Sequence, residues 1–147
     1  MSLKEKLSED LKLSMKEKDT VKKNTVQSMR AAILQVEKDK LITLDEEGVI
    51  EVIAKELKKR KDVLPDYEKS GRDDLIKELK AEMDILMGYL PAQLTREELE
   101  AIVKEAVAET GASTIKDMGK IMAFVMPKTK GRADGKEINE IARELLS

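Results

Sequence analysis

Apolar residues recur every three or four positions along most of the chain, which is the spacing of one face of an α-helix. In the first 90 residues this pattern predicts four helices. Their apolar positions are Leu3, Leu7, Leu11 and Met15, then Val26, Met29, Ile33 and Val36, then Val49, Ile53, Leu57 and Leu64, and finally Leu75, Leu79, Met83, Leu86 and Leu90. Four amphipathic helices of this length predict a bundle-like N-terminal domain over residues 1–90.

Helix-breaking and helix-capping residues divide these four segments. Asp19 is expected to cap the second helix, and Thr43 with Glu46 has the spacing of a capping box for the third. Pro65 is expected to kink or stop the third helix, and Pro91 to end the fourth.

The rest of the chain predicts a second domain of three helices over residues 91–147, after a linker at residues 90–94. Thr95 and Glu98 have capping-box spacing, and Gly111 is expected to end the fifth helix. The sixth helix is expected to begin after Thr114 and to stop at Pro127. The seventh has Asp134 and Glu137 at N-cap and N3 spacing, with apolar positions Ile138, Ile141, Ala142 and Leu145. The predicted fold class is all-α.

Composition agrees with this assignment and excludes several classes of site. Leu, Ile, Met, Ala, Glu and Lys dominate, and only three of the 147 residues are aromatic. The absence of Cys and His excludes disulfides, thiolate zinc sites and His-based acid–base catalysis. No apolar run is long enough for a signal sequence or a membrane span, so we expect a cytoplasmic protein without a membrane partner. No metal and no cofactor is expected.

Charge is unevenly distributed in the second half of the chain, although the formal net charge of the whole is only -2. Residues 97–109 contain five Glu and one Lys, whereas residues 116–136 contain six basic residues and two acidic ones. The basic stretch ends in MPKTKGRADGK at residues 126–136, which combines four cations with two glycines and a proline. Any anion site must therefore be local.

This loop predicts an anion-binding site formed by Lys128, Lys130, Gly131, Arg132 and Lys136. The glycine would let an anion approach the main chain, and the arginine could hold a phosphate in bidentate fashion. Because Asp134 would already occupy the start of the seventh helix, a phosphate would meet the cationic side chains and not the helix end. The alternative is a solvated connector whose lysines serve solubility.

Phe124 lies off the apolar face of the sixth helix, one turn after Lys120. The two side chains could together form a stacking and charged platform for a base or ribose. Alternatively, Phe124 packs against the linker or the N-terminal domain.

GRADGK at residues 131–136 is not a nucleotide-binding P-loop, although its glycines and lysine are similar to one. Three residues separate the glycines where the motif needs four, Glu137 stands in place of Ser or Thr, and no strand precedes it.

Two segments, DMGKIMAFVMPKTKGRADGK at residues 117–136 and GYLPAQL at residues 88–94, closely resemble the YqeY-like family, small bacterial proteins with mitochondrial relatives. The resemblance covers essentially the whole chain. From about residue 95 the chain is also similar to the tail domain of the GatB subunit of the glutamine-dependent Asp/Glu-tRNA amidotransferase. The residues that match that tail are Lys128, Thr129, Lys130, Gly131, Arg132, Ala133 and Asn139, with Arg132 where Lys is common.

The resemblance implies a helical N-terminal domain, a tail-like three-helix domain and a loop that contacts transfer RNA. The favoured hypothesis is therefore a non-catalytic tRNA-binding accessory module that acts with the amidotransferase or another translation component. A protein–protein adaptor is the alternative. A glutamine-dependent carbon–nitrogen ligase is less favoured, because no nucleophile–base pair or nucleotide motif is visible.

Overall fold

The computed structural model describes residues 1–146 and confirms an all-α protein, with no strand in that part of the chain. Its helices are α1 (Leu3–Lys16), α2 (Thr20–Lys40), α3 (Glu46–Ser70), α4 (Asp73–Met87), α5 (Arg96–Thr110), α6 (Met118–Thr129) and α7 (Gly135–Leu146), with a short 3-10 turn at Ile115–Asp117 before α6. No helix among these residues combines the length and apolarity needed to cross a bilayer. The chain divides into two compact units, an N-terminal unit of Met1–Pro91 and a C-terminal unit that begins at Ala92.

The N-terminal unit has its own apolar core, built from α1 to α4 and the turn after α4. The buried residues of this core are Leu7, Val26, Met29, Ile33, Val49, Val52, Ile53, Leu57, Leu86 and Tyr89. Tyr89 also donates its hydroxyl hydrogen bond to Asp10 on α1. Burial, and then this bond, raises the pKa of the Tyr89 phenol. The tyrosine therefore fixes the turn after α4 to the first helix of the unit.

Glu37 joins three parts of the N-terminal unit. Its carboxylate accepts hydrogen bonds from Lys4 Nζ of α1 at 2.6 Å and from the main-chain N–H of Leu44 at 2.7 Å. The Lys4 bond first, and then the Leu44 bond, lower the pKa of Glu37 below its ordinary value. One carboxylate on α2 thus positions both α1 and the segment that enters α3.

Pro65 does not stop α3, which runs through it to Ser70. Two further predicted features of the N-terminal unit are wrong. The cap of α3 is Asp45, whose carboxylate accepts from Gly48 N at 2.8 Å, and not Thr43. Glu46 lies one residue after this cap and accepts instead from Leu3 N, at 3.0 Å, so a bond to another helix replaces the capping box. Met15, which was expected on the apolar face of α1, is 56% exposed, whereas the neighbouring Ser14 is 2% exposed.

The C-terminal unit packs α5, α6 and α7 around a second core. Its buried residues are Leu99, Val103, Ala106, Ala112, Ile121, Val125, Ile138, Ile141 and Ala142. The predicted cap of α5 is confirmed, since Thr95 accepts from Glu98 N at 3.2 Å, and Gly111 ends that helix with a positive φ of 68°. Leu94 packs against this core, as a hydrophobic staple requires.

Pro127 does not stop α6, contrary to the prediction, because the helix continues to Thr129. A proline removes one N–H from the helix, but the residues that follow it can still donate. Packing holds this last turn in place. The Thr129 side chain is only 1% exposed, and its hydroxyl donates to the Val125 carbonyl at 3.1 Å. Tertiary burial here overrides a local helix-breaking signal.

The pKa of Glu37 predicts a pH-dependent contribution to stability. Because the folded pKa lies below the ordinary value of 4.5, the stabilisation is complete above pH 4.5 and is lost as the pH falls through the folded pKa. We therefore expect Glu37→Gln to lower the thermal midpoint at pH 7, and the difference from wild type to shrink below pH 4.5. Thermal denaturation followed by circular dichroism from pH 3 to pH 7 measures this. Glu9→Gln, an exposed change on α1, is the control, and an equal difference at all pH values would contradict the role of the carboxylate.

Candidate nucleic-acid interface

The loop between α6 and α7 begins with a tight turn at Lys130 and Gly131. Gly131 has a φ of +72°, in the left-handed region that a side chain disfavours. Directly after it, the main-chain N–H groups of Arg132 and Ala133 both donate to the Thr129 carbonyl, at 2.8 and 3.2 Å. The loop therefore turns back over the end of α6 with a defined backbone.

Three hydrogen bonds join this loop to residues 92–94, which begin the C-terminal unit. Leu94 N donates to the Arg132 carbonyl at 2.9 Å, and Gln93 Nε2 donates to the Gly131 carbonyl at 2.7 Å. In the other direction, Arg132 Nε donates to the Ala92 carbonyl at 3.1 Å. We call this set of bonds the loop clamp.

The clamp orients the Arg132 guanidinium. Its Nε is bonded to the main chain, so the two terminal nitrogens are the donors that remain for a ligand. Within residues 1–146 no carboxylate forms an ion pair with this side chain. A lysine at this position would keep the charge but not this arrangement, since it carries a single nitrogen.

Lys128 is already engaged inside the protein. Its Nζ lies 4.2 Å from the centre of the Phe124 ring and 3.4 Å from Glu105 Oε1 on α5. The lysine side chain is nevertheless 46% exposed. The acidic helix α5 therefore partly neutralises the basic end of α6, and an anion would compete with Glu105 for this lysine.

Phe124 packs within the C-terminal unit and does not share its ring face with Lys120. Its ring is half-buried against the core of the C-terminal unit, and the cation above it is Lys128, not Lys120. Lys120 lies about 12 Å from Lys128 along the helix axis, since each residue rises 1.5 Å. There it contributes to lowering the pKa of Asp117, after the hydrogen bonds from Ser113 N and Thr114 N. Lys120 is thus separated from the loop.

Lys136 lies in the first turn of α7, and its side chain is exposed. The start of that helix is occupied by Asp134, whose carboxylate accepts from Lys136 N at 3.1 Å and whose carbonyl accepts from Ile138 N at 3.1 Å. An anion would meet this carboxylate at the helix end. A phosphate would therefore meet the cationic side chains around this helix end, of which Lys136 is exposed and Arg132 has no carboxylate partner within residues 1–146.

Two participants of this site were missed at the level of sequence. Residues 92–94 were expected to be a linker, but they hold the loop through the clamp. Glu105 was counted only as part of an acidic helix, whereas it pairs with Lys128, 23 positions later. Neither contact could be predicted from residue spacing, because helical spacing indicates only which residues are neighbours within one helix.

The relatives of this chain include fungal proteins named altered inheritance of mitochondria protein 41, mitochondrial. The protein from Pyrenophora tritici-repentis is 29% identical, and the alignment covers 96% of this chain and 79% of the relative. For Kluyveromyces lactis the identity is 34%, covering 70% of this chain and 57% of the relative. For Eremothecium gossypii it is also 34%, covering 58% and 48%. This chain therefore spans about half the length of these last two relatives.

The family described as Yqey-like protein matches residues 4–146, which include both units, the loop and the clamp. A match over nearly all of the chain is decisive. The protein belongs to the YqeY-like family.

Proposed function

We propose that this protein is a non-catalytic accessory module that binds transfer RNA through the loop of its C-terminal unit and acts with the amidotransferase or another translation component. The observation that carries the proposal is the clamped Arg132, whose terminal nitrogens are directed by a main-chain bond and lack an internal carboxylate partner in the described chain. Planar guanidinium groups held in this way bind phosphate in bidentate geometry.

The neighbouring residues support binding to a nucleic-acid backbone. Lys130 and Lys136 are exposed on either side of Arg132, and Lys128 can join them when an anion displaces Glu105. The protein as a whole carries a formal net charge of -2, so the attraction is local and not a general basic field. Binding of this kind is sensitive to salt, because each phosphate contact releases bound counterions.

The proposal assigns binding and no chemical step. The end of α6 and the loop together offer cationic donors, a half-buried aromatic ring and main-chain amides, and none of these is a nucleophile paired with a base. Among residues 1–146 no group of three or more acidic side chains could hold a metal ion.

A protein-binding role is the second candidate, favoured by a groove on the N-terminal unit. The groove has a volume of about 470 Å³, lies between α1 and α2, and is lined by Leu7, Ile33 and Leu34 together with Lys4, Arg30 and Glu37. Leu34 is 51% exposed there. A complex that resists both nuclease and high salt would favour this role over RNA binding.

Removing the loop charges is the direct test of RNA binding. We expect the triple variant Lys128→Ala, Lys130→Ala, Arg132→Ala to bind transfer RNA about tenfold more weakly or worse at low salt. The slope of log affinity against log salt should also become shallower, because fewer phosphates are neutralised. Fluorescence anisotropy with a labelled transfer RNA across a salt series measures both quantities. The matched control removes the same charge from the N-terminal unit, with Lys12→Ala, Lys38→Ala, Lys69→Ala. Equal affinities for the loop variant and wild type would refute the proposal.

The ion pair between Lys128 and Glu105 predicts a variant that binds transfer RNA more tightly than wild type. Glu105→Gln releases Lys128 from its carboxylate partner, so we expect transfer RNA to bind about two- to fivefold more tightly, with a steeper salt dependence. Glu109→Gln is the control, since it removes the same charge one turn further along α5 from an exposed residue. If both variants gain equally in the same anisotropy assay, the effect is general electrostatics and competition for Lys128 is excluded.

A further inference from the structure

We infer that Gln93 is a positioning residue for the cationic loop. Through its bond to Gly131 it sets the backbone from which Lys130 and Arg132 project. This inference rests on the proposed function, because the consequence of the positioning is read out as RNA affinity.

The geometry around Gly131 gives Gln93 this role. Gly131 is in the left-handed region, with a φ of +72°, so its carbonyl direction is set by a backbone conformation that few residues adopt. The Gln93 amide donates to that carbonyl at 2.7 Å. The bond therefore fixes the peptide plane between Gly131 and Arg132, which determines where the arginine side chain starts.

The contacts of Leu94 should keep the loop folded when the Gln93 amide is lost, so that positioning can be tested apart from folding. The bond from Leu94 N to the Arg132 carbonyl, at 2.9 Å, does not involve the Gln93 side chain, so we expect it to remain when that side chain is changed. Leu94 also packs against the core of the unit. Loss of the Gln93 amide should thus loosen the turn at Gly131 while the loop stays attached.

Gln93 carries no charge, so its contribution differs from that of the lysines. A glutamine contributes nothing to the attraction of RNA at long range, and its half-buried amide is turned towards the protein main chain. The effect of Gln93 on affinity therefore has to act through the loop. Arg132 is the main route, because its Nε donates to the carbonyl of Ala92, the residue before Gln93. If Gln93 positions Arg132, the effects on RNA affinity of changing residues 93 and 132 should not be additive.

The test is a double-mutant cycle of Gln93→Met and Arg132→Ala in the full chain, with labelled transfer RNA as the probe. Methionine keeps the length of the side chain and removes the donor without adding charge. We expect Gln93→Met to weaken binding about three- to tenfold in the wild-type background and less than about twofold in the Arg132→Ala background. Amide hydrogen exchange at Arg132 and Ala133, whose N–H groups donate to the Thr129 carbonyl, should become faster in Gln93→Met. Gln27→Met, on the exposed surface of α2, should change neither quantity.

The outcomes separate the inference from the proposed function. An equal loss in both backgrounds, or no loss while wild type binds RNA, overturns the positioning role and leaves RNA binding intact. If wild type itself shows no salt-dependent binding, the proposed function falls and the positioning role falls with it. Thermal midpoints show whether each variant is folded. Gln93→Asn is a second variant, because its amide is one methylene too short to reach the Gly131 carbonyl, and it must show the same coupling to Arg132.

Discussion

The main-chain hydrogen bond from Leu94 to Arg132 is the constraint around which the loop of the C-terminal unit is arranged. It joins the segment that enters α5 to the connection between α6 and α7, residues that are 38 positions apart. Once this bond is made, Leu94 reaches the core and the side chains of Gln93 and Arg132 meet main-chain carbonyls across the same junction. A small three-helix unit has little core to stabilise it, so a junction of this kind contributes to both its packing and the shape of its loop.

Two ion pairs in this unit join helices that are distant along the chain, in addition to the pair of Arg96 with Glu100 within α5. The acidic α5 and the basic end of α6 look like separate charged regions in the sequence, yet Glu105 and Lys128 meet at 3.4 Å. Arg96 makes a comparable link at the other end of α5, pairing with Glu144 of α7 at 2.9 Å. Exposed pairs of this type add little stability in water. Their larger effect is to decide which cations remain available, and Arg132 is the one that the fold both orients and leaves without an internal carboxylate in the described chain.

Much of the fold could be predicted because it depends on local rules. The helices follow from apolar spacing. The caps at Asp19 and Thr95 follow from side chains that bond within a few residues, and the end of α5 follows from the left-handed backbone of Gly111. Predictions became wrong where distant residues decide the outcome. Burial of Thr129 extends α6 past Pro127. The Glu46 carboxylate, which was expected to form a capping box with Thr43, instead accepts a hydrogen bond from Leu3 N. The cationic residues of the loop could be named from sequence, but the contacts that order them, from Gln93 and Ala92, could not.

The ordered state of the loop has a kinetic consequence. Gly131 turns with a left-handed backbone, and the clamp holds it in that form through bonds within the protein itself. A loop already in place has little conformational entropy left to lose when it is bound. Association would then proceed at the rate of diffusional encounter, adjusted by charge, while the quality of the bound geometry would set how long the complex lasts. Changes to the cations should alter both rates, whereas a change to the uncharged Gln93 should alter the residence time alone.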